Sequence, residues 1–548
     1  MPSSSKFASA LRILEALRAA GYEACFAGGC VRDLLLGREP ADYDVATSAT
    51  PDVVLRMFPR TFAVGAHFGV VLVAAETEIS SKEAAPPQVE VATFRSDSAY
   101  SDGRHPDAVR YTLSAAEDVQ RRDFTINGLL LDPLKLVAAG SENESSVENG
   151  FVPSEPTTGP VENGFVPSER TTGPVEKGPG PGERTTGPGE SGFVPSERTT
   201  GPVEKGTGFS PYVSSLQRVG ALAPEAIRSA VIDHVGGLAD LDAGIIRAIG
   251  QPERRFDEDK LRLLRAVRFA ARFNFTIEPA THAAIRALAS RIHAVSRERV
   301  RDELTKMLTE GHARRAFELL DETGLLIEVL PEVAKMKGVT QPPQFHPEGD
   351  VWIHTLLLLD QLEPGCPATL AWGALLHDVG KPPTFRVAPD RIRFDGHVDV
   401  GVAMGAEICR RFRFSNDETQ QVLALIENHM RFADAPRMKD STLKRFFRLD
   451  HFDQHLALHK MDCLAAHANL DIWNFVRERY ETTPAESVRP RPLITGRDLI
   501  AAGYQPGEQF RPMLQAAEDA QLEGVISTTE EALALVRQSF PMKDNTTR

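Results

Sequence analysis

Hydrophobic and polar positions give the chain three textures. At the start, FASALRILEALRAA (7–20) repeats apolar residues at helical spacing and predicts an amphipathic helix ended by Gly21. CFAGGCV then predicts a strand entering a glycine turn, and VRDLLLG a short helix. The stretch Asp42-Tyr43-Asp44-Val45-Ala46 begins another strand. Alternate side chains of a strand share a face, so Asp42 and Asp44 are expected to point the same way. FGVVLVAA and QVEVATF add strands, the second carrying Glu90. The pattern predicts a head of a few strands with flanking helices.

The second texture has no period at all. From 138 to 229 Gly, Pro, Ser, Thr and Glu dominate. GFVPSE recurs at 150, 164 and 192, TTGP at 157, 171, 185 and 199, and PVEKG at 174 and 202. A solenoid is rejected, because each unit offers one Phe-Val pair at irregular spacing. Such an insert cannot bury a core and is expected to be disordered. LLLDP (129–133) before it and VIDHVGGLADL (231–241) after it look like two arms of one hairpin.

The third texture is helical. FDEDKLRLLRAVRFAARFNF predicts the first strong helix, followed by THAAIRALASRI, RERVRDELTKMLTE and HARRAFELLDETGLL. QPPQFHPEGD breaks the pattern before a histidine-rich helical run (351–470), and the tail carries ITGRDLIAAGYQPGEQFRPML. The fold class expected is α+β: a small mixed-sheet head, then an all-helical neck, body, further domain and tail. The boundaries expected are 1–137 and 230–250 for the head, 138–229 for the insert, 251–345 for neck and body, 346–470 for the histidine-rich domain and 471–548 for the tail.

Composition changes this picture little. With 548 residues, 42% hydrophobic and 25% charged, the chain is ordinary globular material for two to four domains. It has no run of 18 apolar residues, and MPSSSKFASA does not have the form of a secretory signal. Five cysteines without a CxxC pair fit a reducing, cytoplasmic setting. A net charge of −14 means that a nucleic-acid partner would need local basic patches, for which RRFRF (410–414) and the basic positions of 431–448 are candidates.

Candidate chemistry starts at AGGCVRDLLLGREPADYDVA (27–46). Gly28 and Gly29 let backbone N–H groups approach a triphosphate. Arg32 can neutralise phosphate charge. Asp42 and Asp44 can ligate Mg²⁺, which prefers oxygen ligands, and two such ions stabilise the attacking and leaving oxygens of an in-line displacement. The bland alternative is a glycine turn followed by two exposed aspartates.

The order GGCVRDLLLG, DYDVAT, TFRSDSAYSDGRHP, RRDFTINGL, VGGLADL and EDKLRLLRAVRF resembles the class II CCA-adding tRNA nucleotidyltransferases and their relatives, the bacterial poly(A) polymerases. The tail TGRDLIAAGYQPGEQF is similar to the C-terminal region of bacterial CCA-adding enzymes. The resemblance implies a nucleotidyltransferase that adds CTP- and ATP-derived residues to the tRNA 3′ end, with Mg²⁺ as cofactor, tRNA, CTP and ATP as partners and no membrane. It implies Asp42 and Asp44 as metal ligands, Gly29 and Arg32 at the phosphates, Arg122 at the nucleotide and Asp123 at the ribose. Its EDxxRxxRxxR motif falls on Glu258, Asp259, Arg262, Arg265 and Arg268. TFRSDSAYSDGRHP matches the loop that accompanies ATP incorporation in the family, which disfavours a CC-only enzyme. Gly128 stands where the family usually has alanine, and little consequence is expected.

Steps of three on a helix rotate by 300°, so Asp259 and Arg262 can reach one ligand while Arg268 drifts away. Cytosine and adenine both carry an amino donor beside a ring-nitrogen acceptor. A carboxylate accepts from the first and a guanidinium donates to the second. Uracil and guanine would face the carboxylate acceptor to acceptor. One Asp–Arg pair thus explains selection of CTP and ATP without a template. An amphipathic helix with an Asp–Arg pair at its start is the structural alternative.

Farther on, His354, His377 and Asp378 in LLHDVGKP, and Asp462 resemble the ligands of the HD phosphohydrolase superfamily, and His397 and His429 match the extra histidines of its dinuclear members. The resemblance implies a divalent metal of unspecified identity. Two alternatives to a CCA-adding enzyme stay open within the head's family, an A-adding enzyme or a poly(A) polymerase. A metal-dependent phosphohydrolase with an RNA-binding head, or a non-catalytic RNA scaffold, is the alternative from another class.

Overall fold

The first helix, Ser5–Ala19, buries Leu14 and Leu17 and stops where Gly21 takes φ +88°. Its Phe7 meets Phe26 and Tyr43 edge-on, with ring centroids 5.7 and 5.2 Å apart. This and everything below comes from a computed structural model that describes residues 5–62, 69–74, 88–97, 109–136, 224–344, 346–389 and 391–542. Residues 137–223, which hold nearly all of the repeat insert, lie outside it, as does the ATP-associated loop beyond Asp97.

The head is a seven-stranded mixed sheet. Its strands are β1 (Ala24–Ala27), β2 (Val45–Thr47), β3 (Thr61–Phe62), β4 (Val70–Ala74), β5 (Gln88–Thr93), β8 (Leu130–Leu131) and β9 (Val231–Ile232), in the order β3-β4-β5-β2-β1-β8-β9. The strands β6 (Arg95–Asp97) and β7 (Val109–Tyr111) form a separate ribbon. Only β2 and β5 run parallel within the large sheet, with Val45 beside Val91. The two arms predicted around the insert do pair, Leu131 with Val231 and Leu130 with Ile232.

Three details differ from expectation. Pro224–Ser229, assigned from sequence to the insert, is a short helix whose Ile227 joins the head's core together with Ala230. Two apolar residues suffice to dock one turn, and a compositional reading smooths over a segment that short. The stretch from Phe256 is also two helices, Pro252–Glu258 and Leu261–Phe273. Between them Asp259 is extended, with φ −139° and ψ 107°. Finally, Gly128 is not a neutral stand-in for alanine, because a Cβ there would lie 2.7 Å from Val235 Cγ2.

The helical part continues the same core. Leu261–Phe273 packs against Arg297–Thr309 and Ala313–Glu322, and Trp372 on Ala368–Leu376 donates its ring N–H to Thr305 Oγ1 at 2.9 Å. The histidine-rich region is built from Val351–Leu359, Ala368–Leu376, His397–Arg411, Asn416–Asn428 and Phe452–Ala465. The tail helices Gly496–Ala501, Phe510–Leu522 and Thr529–Ser539 form their own small core around Leu499, Tyr504, Met513 and Val536. Arg445 and Arg448 bind Glu518 of that tail at 2.8 and 2.6 Å. Arg411 binds Glu332, and Arg413 binds Glu298. These cations, candidates for a nucleic-acid patch, hold parts of the chain together. The architecture is the expected α+β one, a mixed-sheet head followed by helices.

Candidate functional site

One cleft of about 800 Å³ opens between the sheet and the helix Leu261–Phe273. It is lined by Gly28, Gly29, Arg32, Asp42, Asp44, Arg122, Asp123, Asp259, Arg262, Arg265 and Arg268, all singled out from sequence, while Glu258 of the same motif does not line it and binds Arg262 instead.

Its floor carries the carboxylates. Asp42 and Asp44 come just before β2, not in it, yet the alternation holds. Tyr43 between them is buried under Phe7 and Phe26, which turns both aspartates outward to the cleft. Pairing begins at Asp44, whose carbonyl accepts from the Ala27 N–H at 3.1 Å. The parallel register Val45–Val91 then sets Glu90 beside Asp44. Glu90 was placed on a strand by sequence but given no role; its contribution becomes visible only once the strand order is known. Burial, then repulsion from Glu90, pushes the Asp44 carboxyl up to about 7. Burial and Asp42 raise Glu90 in turn. Carboxylates that raise one another's proton affinity are a fit place for a hard dication.

The walls carry guanidinium groups with different jobs. Gly28 has φ +74°, and a Cβ there would meet Arg122 Nη1 at 3.0 Å, so glycine admits both the turn and the arginine. Arg122 is steadied by Asp118 at 3.1 Å and by the Asn127 carbonyl at 3.4 Å. Asp123 binds Arg265 at 2.6 Å and accepts from Asn127 Nδ2 at 3.0 Å. Burial alone would raise the Asp123 carboxyl, but Arg265 and Asn127 hold it far below the usual range. Arg32 is 4% exposed, bonded to Asp33 and Asn127 and lying over Phe269 and Phe273. It edges the cleft as part of its frame. Arg268 likewise ties its helix to Glu303 at 2.7 Å and Glu310 at 3.2 Å.

Asp259 and Arg262 both line the cleft but do not bind each other as a helical pair would. The extended Asp259 accepts the Leu261 N–H at 3.0 Å and the Arg299 guanidinium at 2.9 Å. Arg262 binds Glu258 at 2.7 Å and the carbonyls of Arg255 and Arg121. Each is aimed by its own partner. Arg299, forty residues downstream in RERVRDEL, is a member of the site that no local spacing could reveal.

A second constellation lies among the histidine-rich helices. Its six sequence-chosen residues converge. His354 Nε2 is 3.0 Å from Asp462, His377 Nε2 is 3.2 Å from Asp378, and Asp378 Oδ1 lies 3.9 and 3.8 Å from His397 and His429. The other ring nitrogen of each histidine is committed: His377 to the Ala374 carbonyl, His397 to Phe394, His429 to Ile426 and His354 to Glu348, all within 2.9 Å. All four Nε2 atoms and Asp378 Oδ1 are buried without a well-aligned hydrogen bond. Imidazoles with Nδ1 fixed and Nε2 convergent fit a transition-metal site, where each would ligate in its neutral form. Lys381 donates to Asp378 at 2.6 Å. Burial lowers the His354 imidazole, but the Asp462 and Glu348 carboxylates outweigh it and raise it to about 9.

Known proteins match this layout region by region. The family of poly A polymerase head domains matches residues 24–140, a probable RNA- and SrmB-binding site of polymerase A matches 274–337, and the HD domain matches 350–455. An A-adding tRNA nucleotidyltransferase of Deinococcus radiodurans is 33% identical over 331 residues, covering 56% of this chain and 74% of the relative. The chain belongs to the tRNA nucleotidyltransferase family. A CCA-adding enzyme of Lactobacillus johnsonii is 31% identical over 357 residues, so the match spans 64% of that tRNA nucleotidyltransferase's length and 64% of this chain. Among solved structures, the Bacillus stearothermophilus CCA-adding enzyme in complex with CTP superposes with a TM-score of 0.61 at 23% identity, covering 98% of both chains, a likeness of fold. In this member of the tRNA nucleotidyltransferases, Asp462 and Glu348 both fall outside the HD match. No helix among the described residues is long and apolar enough to cross a membrane.

Proposed function

We propose that the chain adds C, C and A, drawn from CTP and ATP, to the 3′ end of tRNA without a nucleic-acid template. The observation that carries this reading is the single cleft in which Asp42, Asp44 and Glu90 lie within reach of an arginine wall and of Asp259 and Arg262. Asp42 and Asp44, with Glu90 beside them, would hold Mg²⁺, which when bound offsets the charge developing on the reacting oxygens. The tRNA 3′-hydroxyl gives up its proton to solvent as its oxygen attacks the α-phosphorus, the bond from that phosphorus to the α–β bridging oxygen breaks and pyrophosphate leaves. Arg122 and Arg265 neutralise the triphosphate, and the Gly28–Gly29 turn lets the backbone close on it. Asp123 keeps Arg265 aimed and borders the ribose. Asp259 accepts the amino group of cytosine or adenine while Arg262 donates to the ring nitrogen, each fixed beforehand by its own ion pair. We infer a cytoplasmic setting, consistent with five free cysteines.

Transcripts ending before CCA, at C and at CC, each offered single nucleotides and sized, test this. Addition of C, C and A in order supports it. Growth of the CC transcript alone would make the chain an A-adding enzyme, and unlimited A a poly(A) polymerase.

A second activity is favoured by the six convergent groups of His354, His377, Asp378, His397, His429 and Asp462. We infer a divalent-metal phosphohydrolase centre there.

A further inference from the structure

QPPQFHPEGD, which reads as a break in the helical pattern, ends where the HD match begins at residue 350. Its described residues, 341–344 and 346–350, form a built strap. Thr340 bridges Asp350 antiparallel, the Gln341 N–H donates to the Gly349 carbonyl at 3.0 Å, and the Val351 N–H to Val339 at 3.0 Å. Two of its side chains reach the histidine–aspartate centre from outside. Glu348 Oε1 accepts from His354 Nδ1 at 2.8 Å and His346 Nδ1 at 2.9 Å. Gln341 Oε1 accepts from Lys381 Nζ at 2.7 Å, and the same Nζ lies 2.6 Å from Asp378. The Glu348 side chain is 6% exposed and Gln341 is 2% exposed, so neither is a surface contact. Asp350 at the strap's end caps the helix that carries His354, accepting from Trp352 N–H at 2.8 Å and Ile353 N–H at 3.1 Å.

We propose that this strap is a wall of the HD metal centre, with Glu348 positioning His354 and Gln341 positioning Lys381 against Asp378. The inference rests on reading that centre as a metal site. A carboxylate only accepts hydrogen bonds, so Glu348 holds a proton on Nδ1 of His354, and Nε2, beside Asp462, is the nitrogen that would ligate a metal. The His346 ring packs edge-on against His354, centroids 4.9 Å apart at 85°, and shares the same Glu348 oxygen. The centre is therefore completed by the helical body's own connection, and the HD helices alone lack two of its supports.

Titration of the full chain with Mn²⁺ tests this, with the binding that Asp378→Ala abolishes taken as that of the HD centre. Glu348→Met, which keeps volume but replaces the carboxylate by a weak, uncharged acceptor, is expected to weaken this binding by about 10- to 100-fold. Glu348→Gln keeps an oxygen acceptor and is expected to recover part of the loss, and Gln341→Ala to show a smaller one. Nucleotide addition by the head should stay unchanged in all three. Glu348→Met that binds Mn²⁺ as tightly as wild type overturns the positioning role. Equal binding by wild type and Asp378→Ala instead overturns the metal reading beneath it.

Discussion

Asp44 shows how a residue can weaken a fold in order to serve it. Its carboxyl ionises at about 7 in the folded protein against 3.8 ordinarily, so the native state binds the extra proton. Its contribution to stability is therefore lost as pH rises from about 4 to about 7. Asp44→Asn removes that cost. It is expected to abolish incorporation while the metal-free protein melts at the same or a higher temperature at neutral pH. Mg²⁺ should raise the wild-type melting temperature and leave that of Asp44→Asn where it was. Asp259 carries the second prediction at this scale. Its removal takes away a charged acceptor worth about 1.5–3 kcal/mol, so Asp259→Ala should lose roughly ten- to hundredfold in discrimination against UTP. Arg299→Ala, which frees the same carboxylate, should move selectivity in the same direction by less. Competition between UTP and CTP on one transcript reads both, and unchanged rejection of UTP would remove Asp259 from base reading. The chemistry-bearing residues were legible because DYD, RRD and EDxxR each name a side chain. Their partners were not, since Arg299 reaches Asp259 and Asn127 bridges Arg32 and Asp123 only in the fold.

At the scale of elements, periodicity predicted which segments are helices and strands, and lost short or broken ones. It joined Pro252–Glu258 to Leu261–Phe273, because an apolar stripe continues across the extended Asp259. It also ran the insert through Pro224–Ser229, which is too short for a period to register. The distinction has an experimental edge. Replacing residues 138–222 by a short turn leaves β8, β9 and Ile227 in place. That variant should fold and add nucleotides as wild type does, with about 2 kcal/mol gained from the roughly four halvings of loop length. Extending the deletion to 229 removes Ile227 from the core and should lower the melting temperature. Thermal melts of the two deletions side by side check this; equal melting would show the short helix to be dispensable.

Across the whole molecule, two centres are set in one continuous framework but share no side chain. Each lies at a junction, the first between sheet and helix, the second among helices closed by the strap. Asp42→Ala should therefore stop addition and leave Mn²⁺-dependent phosphoesterase activity, and Asp378→Ala should do the reverse. Assays of both variants on a transcript and on a simple phosphate ester with Mn²⁺ would settle it, and loss of both activities in either variant would show the centres to be coupled. The order of domains was legible because each carries its own motif; the tail's attachment through Arg445 and Arg448 was not, because a basic run looks the same whether it meets RNA or Glu518. The pairing of β8 with β9 has a further consequence. It sets Leu131 beside Val231, so this pairing does not depend on how many copies of the repeat the sequence carries between them. Near-identical units are prone to gain or lose copies when their gene is replicated, and at this position such a change leaves the register of every strand as it was. A change in copy number would then lengthen or shorten this protein between the two strands while the residues of its chemistry stay on either side.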